Sequence, residues 1–223
     1  MPGRLVGAAT DALFGFFGRS DELEAFDEIA KRARSSRRCQ AVFVSGEAGM
    51  GKTSLVAQAA RAAHAEGAVV VFGHADEDLG VAYRPWIEIA SSLVRHADPD
   101  VVAGLRSAQR GALARLVPEL AAGADRVGDP DTERLLLVEG MIELIAAASA
   151  DHPVFVVLDD VQWADTASLQ VLRQLIASST PMEVTVACTY RDTDLGRGDP
   201  LTRLLSDLHR EANVTRMPLK GLA

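Results

Sequence analysis

The sequence predicts an α/β fold: a parallel five-stranded sheet flanked by helices, with a helical insertion between the second and third strands. Three observations predict it. Five short apolar or β-branched runs, at 41–44, 68–73, 154–158, 183–190 and 214–219, alternate with helix-forming segments. The first run passes through a glycine-rich stretch, VFVSGEAGMGKT (42–53), directly into a helix former. The third, VFVVL (154–158), ends in two carboxylates, Asp159 and Asp160. Such apolar runs between helices suit a sheet buried on both faces.

The elements follow in order. Residues 1–15 are weakly patterned and read as an N-terminal arm, with the core from 16 to 223. Ser20 is expected to cap a helix whose apolar face is Leu23, Phe26, Ile29, Ala30 and Ala33, with Asp21 and Glu22 in its favoured first turn. A helix is expected from Lys52 to Ala65, stopped at Gly67. Pro85 opens the next one, and helical pieces continue to about 150 as the insertion. Its last helix, Asp131 to Ala150, is expected to pack through Leu135, Val138, Ile142 and Ile145. Asp165 or Thr166 caps the helix that follows the third strand. Residues 200–210 are helical, and 214–219 form a last strand.

Composition excludes several classes. The chain has 223 residues, 48 % of them hydrophobic, which is ample for a core. The net charge of −8 argues against a standing nucleic-acid surface. The tight basic cluster from Arg32 to Arg38 sits at a helix end, where cations are favoured. Cys39 and Cys188 lie beside or inside predicted strands and read as buried thiols of a reduced compartment. No apolar run approaches a membrane span, and no secretory signal is evident, so a cytoplasmic location is expected.

The chemistry is concentrated in two places. Gly46-x-x-x-x-Gly51-Lys52-Thr53 matches the phosphate-binding P-loop pattern, between a strand and a helix as the motif requires. A strand turning sharply into a helix aims backbone N–H groups and the positive end of the dipole at one spot. Gly46, Glu47, Ala48, Gly49, Met50, Gly51, Lys52, Thr53 and Ser54 are thus the candidate nucleotide cradle. Lys52 reaches the β- and γ-phosphates and Thr53 offers its hydroxyl to Mg²⁺. The strand ending in Asp159-Asp160 supplies the second half: Asp159 as the Mg²⁺ carboxylate, Asp160 to orient or deprotonate the attacking water. Arg191, after the fourth strand, is placed to touch the γ-phosphate. The histidines are scattered singly in sequence, so no metal beyond Mg²⁺ is expected. The guanine-reading Asn-Lys-x-Asp motif is absent, which leaves ATP and ADP as the expected nucleotides. Trp86 and Trp163 are expected to pack rather than bind a base.

Taken together, FGRSDEL (17–23), GEAGMGKTSL (46–55), YRPW (83–86), VLDDVQWADTASLQVL (157–172) and CTYRD (188–192) resemble the AAA-like ATPase module of the STAND signalling NTPases. The resemblance is closest to the ATPase part of large LuxR-type bacterial transcriptional regulators. It implies an ASCE-type P-loop NTPase core. It puts Gly18 and Arg19 near the adenine, makes Asp159 the Mg²⁺ carboxylate and Asp160 the catalytic one, which with the Lys52 of the phosphate loop would complete the catalytic set, and makes Arg191 the sensor after the fourth strand. It implies a slow, nucleotide-gated switch that self-associates with ATP. DNA would be bound only through a domain outside these residues, and the C-terminal lid and output domains are expected to lie outside them too. The rival expectations are a working AAA-type ATPase that loads or remodels DNA or protein complexes, and a small-molecule kinase.

Overall fold

The computed structural model describes residues 18–77, 81–96, 99–121, 129–196 and 198–221. The expected N-terminal arm lies outside them, as does most of the expected loop at 123–130. The strands are β1 (Gln40–Ser45), β2 (Val69–His74), β3 (Val154–Asp159), β4 (Val184–Tyr190) and β5 (Val214–Pro218). The helices are α1 (Ser20–Ser36), α2 (Lys52–Ala65), α3 (Arg84–His96), α4 (Pro99–Ala103), α5 (Ser107–Leu113), α6 (Pro130–Ala148), α7 (Thr166–Ala177) and α8 (Pro200–Asp207). All four strand pairings are parallel and the order is β2-β3-β4-β1-β5. The expected five-stranded parallel sheet is therefore present, and α3 to α6 form the helical stretch between β2 and β3.

Strand alternation divides the core. Val42, Val44, Phe155, Val157 and Ala187 face one way, onto α1 and α2 through Phe26, Ile29, Leu55 and Ala59. Ala41, Phe43, Val154, Val156 and Leu158 face the other way, onto the larger helical layer with Trp86, Ile89, Met141 and Leu175. Both faces are covered, which is why these strands read as apolar runs without a polar side. Cys39 and Cys188 are buried free thiols in the second layer. Burial pushes the Cys39 thiol up to about 12 and raises Cys188 as well.

Local chemistry fixes the helix ends. After α2, Gly67 takes φ +96, the Gly67 N–H donates to the His64 carbonyl (3.0 Å) and the Ala68 N–H donates to the Ala63 carbonyl (3.0 Å). This is a Schellman close, and it places the helix end where the sequence put it. Asp165 caps α7 by accepting from the Ser168 N–H (3.0 Å). Trp86 packs, as expected: it is 1 % exposed and its Nε1–H donates to the Ser168 carbonyl (2.9 Å).

Two local expectations are corrected. Ser20 is the first residue of α1 rather than its cap; Arg19 occupies the cap position, without a capping side chain. The face of α6 is also rotated from the one expected. Leu135 is 59 % exposed and Ile142 only partly buried, while Leu137, Val138, Gly140, Met141, Leu144 and Ile145 are buried. The neighbour on this face is α5: a Cβ on Gly140 would meet Leu113 Cδ1 at 3.1 Å and Gln109 Cβ at 3.3 Å, tighter than ordinary contact, so the glycine suits the close approach of α5 to α6.

One cavity of about 380 Å³ lies between α1 and α2 over the N-terminal ends of the strands, lined by Phe26, Ala30, Ala62, Ala63, Phe155 and others. It holds no residue of the phosphate loop. The chemistry sits at the opposite edge of the sheet. Among the described residues, no helix is long and apolar enough to cross a membrane.

Candidate nucleotide site

The connection leaving β1 runs to β2 on one side of the sheet, and the connection leaving β4 returns past β1 to β5. The carboxyl ends of β1 and β4 therefore border a point where chain direction diverges, the place where open α/β sheets bind ligands. The glycine-rich turn lies there. Gly49 and Gly51 have φ of +79 and +81, left-handed values that a side chain would oppose, and Gly51 is the N-cap of α2. The N–H groups of the first turn of α2 have no intrahelical acceptor and point toward this loop. Lys52 is 7 % exposed, and its ammonium donates to the Gly46 (2.8 Å) and Glu47 (2.9 Å) carbonyls. An ammonium has three donors, so one remains to face the space over the loop.

Asp159 faces the α2 side of the sheet by alternation with Phe155 and Val157. Its carboxylate accepts from the Thr53 hydroxyl at 3.1 and 3.4 Å. Residues 106 apart thus meet, although β4 lies between β3, which ends in Asp159, and β1, which leads through the loop into α2 and Thr53. Thr189 at the end of β4 closes the gap. It is fully buried, donates to Asp159 Oδ1 at 2.5 Å and accepts from the Asp160 N–H at 3.0 Å. Thr53 hydroxyl and Asp159 carboxylate are hard oxygen donors, the kind that suits Mg²⁺.

Asp160 has φ +53, a left-handed conformation uncommon for a non-glycine residue. The amide of Gln162 donates to Asp160 Oδ1 (3.0 Å), and its carbonyl accepts from the Arg191 N–H (3.2 Å). Gln162 thus joins the segment after β3 to the segment after β4. The Arg191 guanidinium lies 3.9 Å from Asp194. Arg19 is buried and clasps three parts of the chain: Glu22 (2.8 Å), the Lys220 carbonyl (2.7 Å) and the Met50 carbonyl of the loop (3.4 Å). Glu47, Ala48 and Ser54 are exposed on the loop and the start of α2, and Gly18 precedes Arg19 with φ +82.

Sequence reasoning missed three residues. Thr189 and Gln162 lie inside the CTYRD and VLDDVQWADTASLQVL segments, where sequence reasoning assigned neither a role; the pairing of β3 with β4 is what brings each of them to its partner across the two strand ends. His74 ends β2 in register with Asp159 and its Nδ1 lies 4.0 Å from Asp159 Oδ2. His74, Asp159 and Asp160 bring one potential ligand atom each within 4.8 Å of one another. The histidine isolated in sequence is thus grouped with two carboxylates in space. Alternation in VVVFGH does place His74 on the α2 face, but nothing local says that β2 lies beside β3.

A glycine loop closing onto a helix, with a carboxylate strand facing it across an intervening strand, defines the phosphate site of a P-loop NTPase. A family model for the AAA ATPase domain matches residues 15–186, and the chain belongs to that family. None of the curated proteins compared with it matches. Among solved structures, Cdc6p from Pyrobaculum aerophilum is similar over 94 % of this chain and 48 % of its own, at 18 % identity and a TM-score of 0.51. A Drosophila ORC structure bound to DNA gives 11 % identity over 91 % and 93 % of the two chains, with a TM-score of 0.46. A STAND protein with a tetratricopeptide-repeat sensor from Pyrococcus horikoshii gives 20 % identity over 93 % of this chain and 24 % of its own, with a TM-score of 0.45. The chain spans about half the length of the Cdc6p it matches.

Proposed function

We propose that this chain is the ATP-binding, slowly hydrolysing switch domain of a signalling regulator, transcriptional in output. The observation that supports it is the convergence of Lys52, Thr53, Asp159 and Thr189 at one edge of the sheet. ATP or ADP lies along Gly46 to Ser54, with Lys52 on the β- and γ-phosphates. Thr53 and Asp159 hold Mg²⁺, which when bound supplies neutralisation of developing phosphate charge. Asp160 orients the attacking water. Arg191 leaves Asp194 for the γ-phosphate and reports its loss. Gly18 and Arg19 border the adenine, and Arg19 links that border to the loop through Met50.

Slow turnover follows from Asp160. Its carboxylate is already bonded to Gln162, and an aspartate reaches less far than a glutamate toward the phosphates. In P-loop enzymes, an arginine finger from another molecule raises the rate by orders of magnitude. A switch whose ATP state self-associates would gain such a group only when assembled. The sequence resemblance to STAND and LuxR-type regulators gives the reading its biological side: ATP-dependent self-association, control by C-terminal domains, and DNA contact through a domain outside these residues, in the cytoplasm.

Calorimetry with ATP and ADP in the presence of Mg²⁺, on the wild-type chain and Lys52→Ala, tests it. Micromolar binding lost in the variant, with turnover well below 1 s⁻¹ against the roughly 10 s⁻¹ of a typical enzyme, is the expected result. Wild-type binding unaffected by Lys52→Ala would sink the site. Turnover stimulated many-fold by DNA would replace the switch with a working ATPase that acts on DNA.

A further inference from the structure

The end of β2 adds a group to the cation site. Three backbone relations fix His74 beside Asp159. The two residues are register partners in the parallel β2–β3 pair. The Ala75 N–H donates to the Asp159 carbonyl (3.1 Å), so the pairing continues past the strand end. The His74 N–H donates to the Glu88 carboxylate (2.9 Å) on α3. Behind it, Gly73 lets the Pro85 backbone pack directly on β2, since a Cβ there would lie 2.3 Å from the Pro85 carbonyl oxygen. The Cα of His74 is therefore held, while its ring is free to turn: the side chain is 48 % exposed, against 16 % for Asp159.

We propose that His74 is a ligand of the divalent cation at the nucleotide site, giving that site a nitrogen donor and a preference for Mn²⁺ over Mg²⁺. The inference rests on the reading that Thr53 and Asp159 hold the cation. By alternation with Val70 and Phe72, His74 faces the same side of the sheet as Asp159 and Thr53. Two donors each about 2.1 Å from an octahedral ion, at right angles, lie about 3.0 Å apart. The present Nδ1 to Oδ2 separation is 4.0 Å, so chelation needs a closure of about 1 Å, within reach of a turn of the exposed ring. Hydroxyl and carboxylate donors alone suit Mg²⁺. A neutral imidazole shifts the preference toward later divalent metals, in the order in which their nitrogen affinity rises. Asp160, within 4.8 Å of both, adds negative charge without being a required ligand.

The test uses the full chain labelled with ¹⁵N-histidine, loaded with Mn²⁺ and ADP, and read by pulsed electron paramagnetic resonance. A ¹⁵N coupling to Mn²⁺ is expected in the wild type and is expected to vanish in His74→Ala and in His74→Gln, the second variant keeping the bulk at the strand end. Competition by Mg²⁺ should then show the Mn²⁺ preference falling about 10-fold in both variants. Mn²⁺·ADP bound to the wild type with no histidine coupling would overturn the inference and leave the Thr53–Asp159 site standing. Coupling that persists in both variants would overturn it too. Failure of the wild type to bind Mn²⁺·ADP at all would overturn the cation site itself, and this inference with it.

Discussion

Replacing Thr189 by valine removes one hydroxyl and leaves the side-chain volume nearly unchanged. That hydroxyl is fully buried and makes two bonds, donating to the Asp159 carboxylate at 2.5 Å and accepting from the Asp160 N–H at 3.0 Å. A hydrogen bond to a charged group contributes about 1.5–3 kcal/mol, and a buried N–H left without an acceptor costs about 1–3 kcal/mol. Asp159 is 16 % exposed and Asp160 only partly buried, so both recover part of their loss from water and the sum is discounted to about 3 kcal/mol. In a chain of this size about 1 kcal/mol shifts the melting temperature by about 2–4 °C, so Thr189→Val should melt roughly 6–12 °C lower. Circular dichroism without nucleotide or Mg²⁺ measures this apart from ligand stabilisation. Thr189→Ser keeps the hydroxyl and should recover most of the loss. A valine variant melting within about 2 °C of the wild type would refute the reasoning, because the hydroxyl would then not be holding the ends of β3 and β4 together.

Gly73→Ala should destabilise by about 3 kcal/mol, because the new Cβ meets backbone atoms of Pro85 at 2.3, 2.8 and 2.9 Å rather than a side chain that could move; a urea midpoint equal to that of the wild type would contradict this. Gln162→Leu removes the bridge between Asp160 and the Arg191 N–H. It is expected to lower single-turnover hydrolysis about 10-fold with ATP affinity unchanged, since positioning of one catalytic group is worth about that much or more; a loss confined to affinity would argue against positioning. The buried thiols predict an alkaline weakness. Cys39 is raised from 9.0 to about 12 in the fold, so the unfolded chain ionises first and stability falls as pH rises from about 9 toward 12. The slope should reach about 1.4 kcal/mol per pH unit per thiol. Urea midpoints at pH 8 and pH 10.5 for the wild type and Cys39→Ala check it, and equal slopes in the two proteins would refute the assignment to Cys39.

What the sequence determined by itself is whatever depends on near neighbours in the chain. The turn from β1 into α2 was legible because glycines, lysine and threonine at fixed spacing have one compact solution at a strand-to-helix junction. Gly67, and a cap at Asp165 or Thr166 that the structure assigns to Asp165, were legible for the same reason: a left-handed residue after a helix and an oxygen before one satisfy backbone groups a few residues away. Short-range reasoning also erred where the decision was not local. The run Leu135-Leu136-Leu137-Val138 offered several apolar faces, and the approach of α5 over Gly140 selected one. Ser20 resembled a cap, but Arg19 occupies that position and clasps Lys220, 201 residues away.

The tertiary structure alone decided the company that Asp159 keeps. Alternation told which way His74, Asp159 and Thr189 point. It said nothing of strand order, because the inner strands β1, β3 and β4 are buried on both faces and bear no mark of their neighbours. Placing β4 between β1 and β3, and β2 beyond β3, put Thr189 under Asp159, Thr53 against it and His74 alongside. The physical reason is that strand order is set by how the crossover helices bury their apolar sides on the two faces of the sheet, a property of the whole packed chain rather than of any stretch within it.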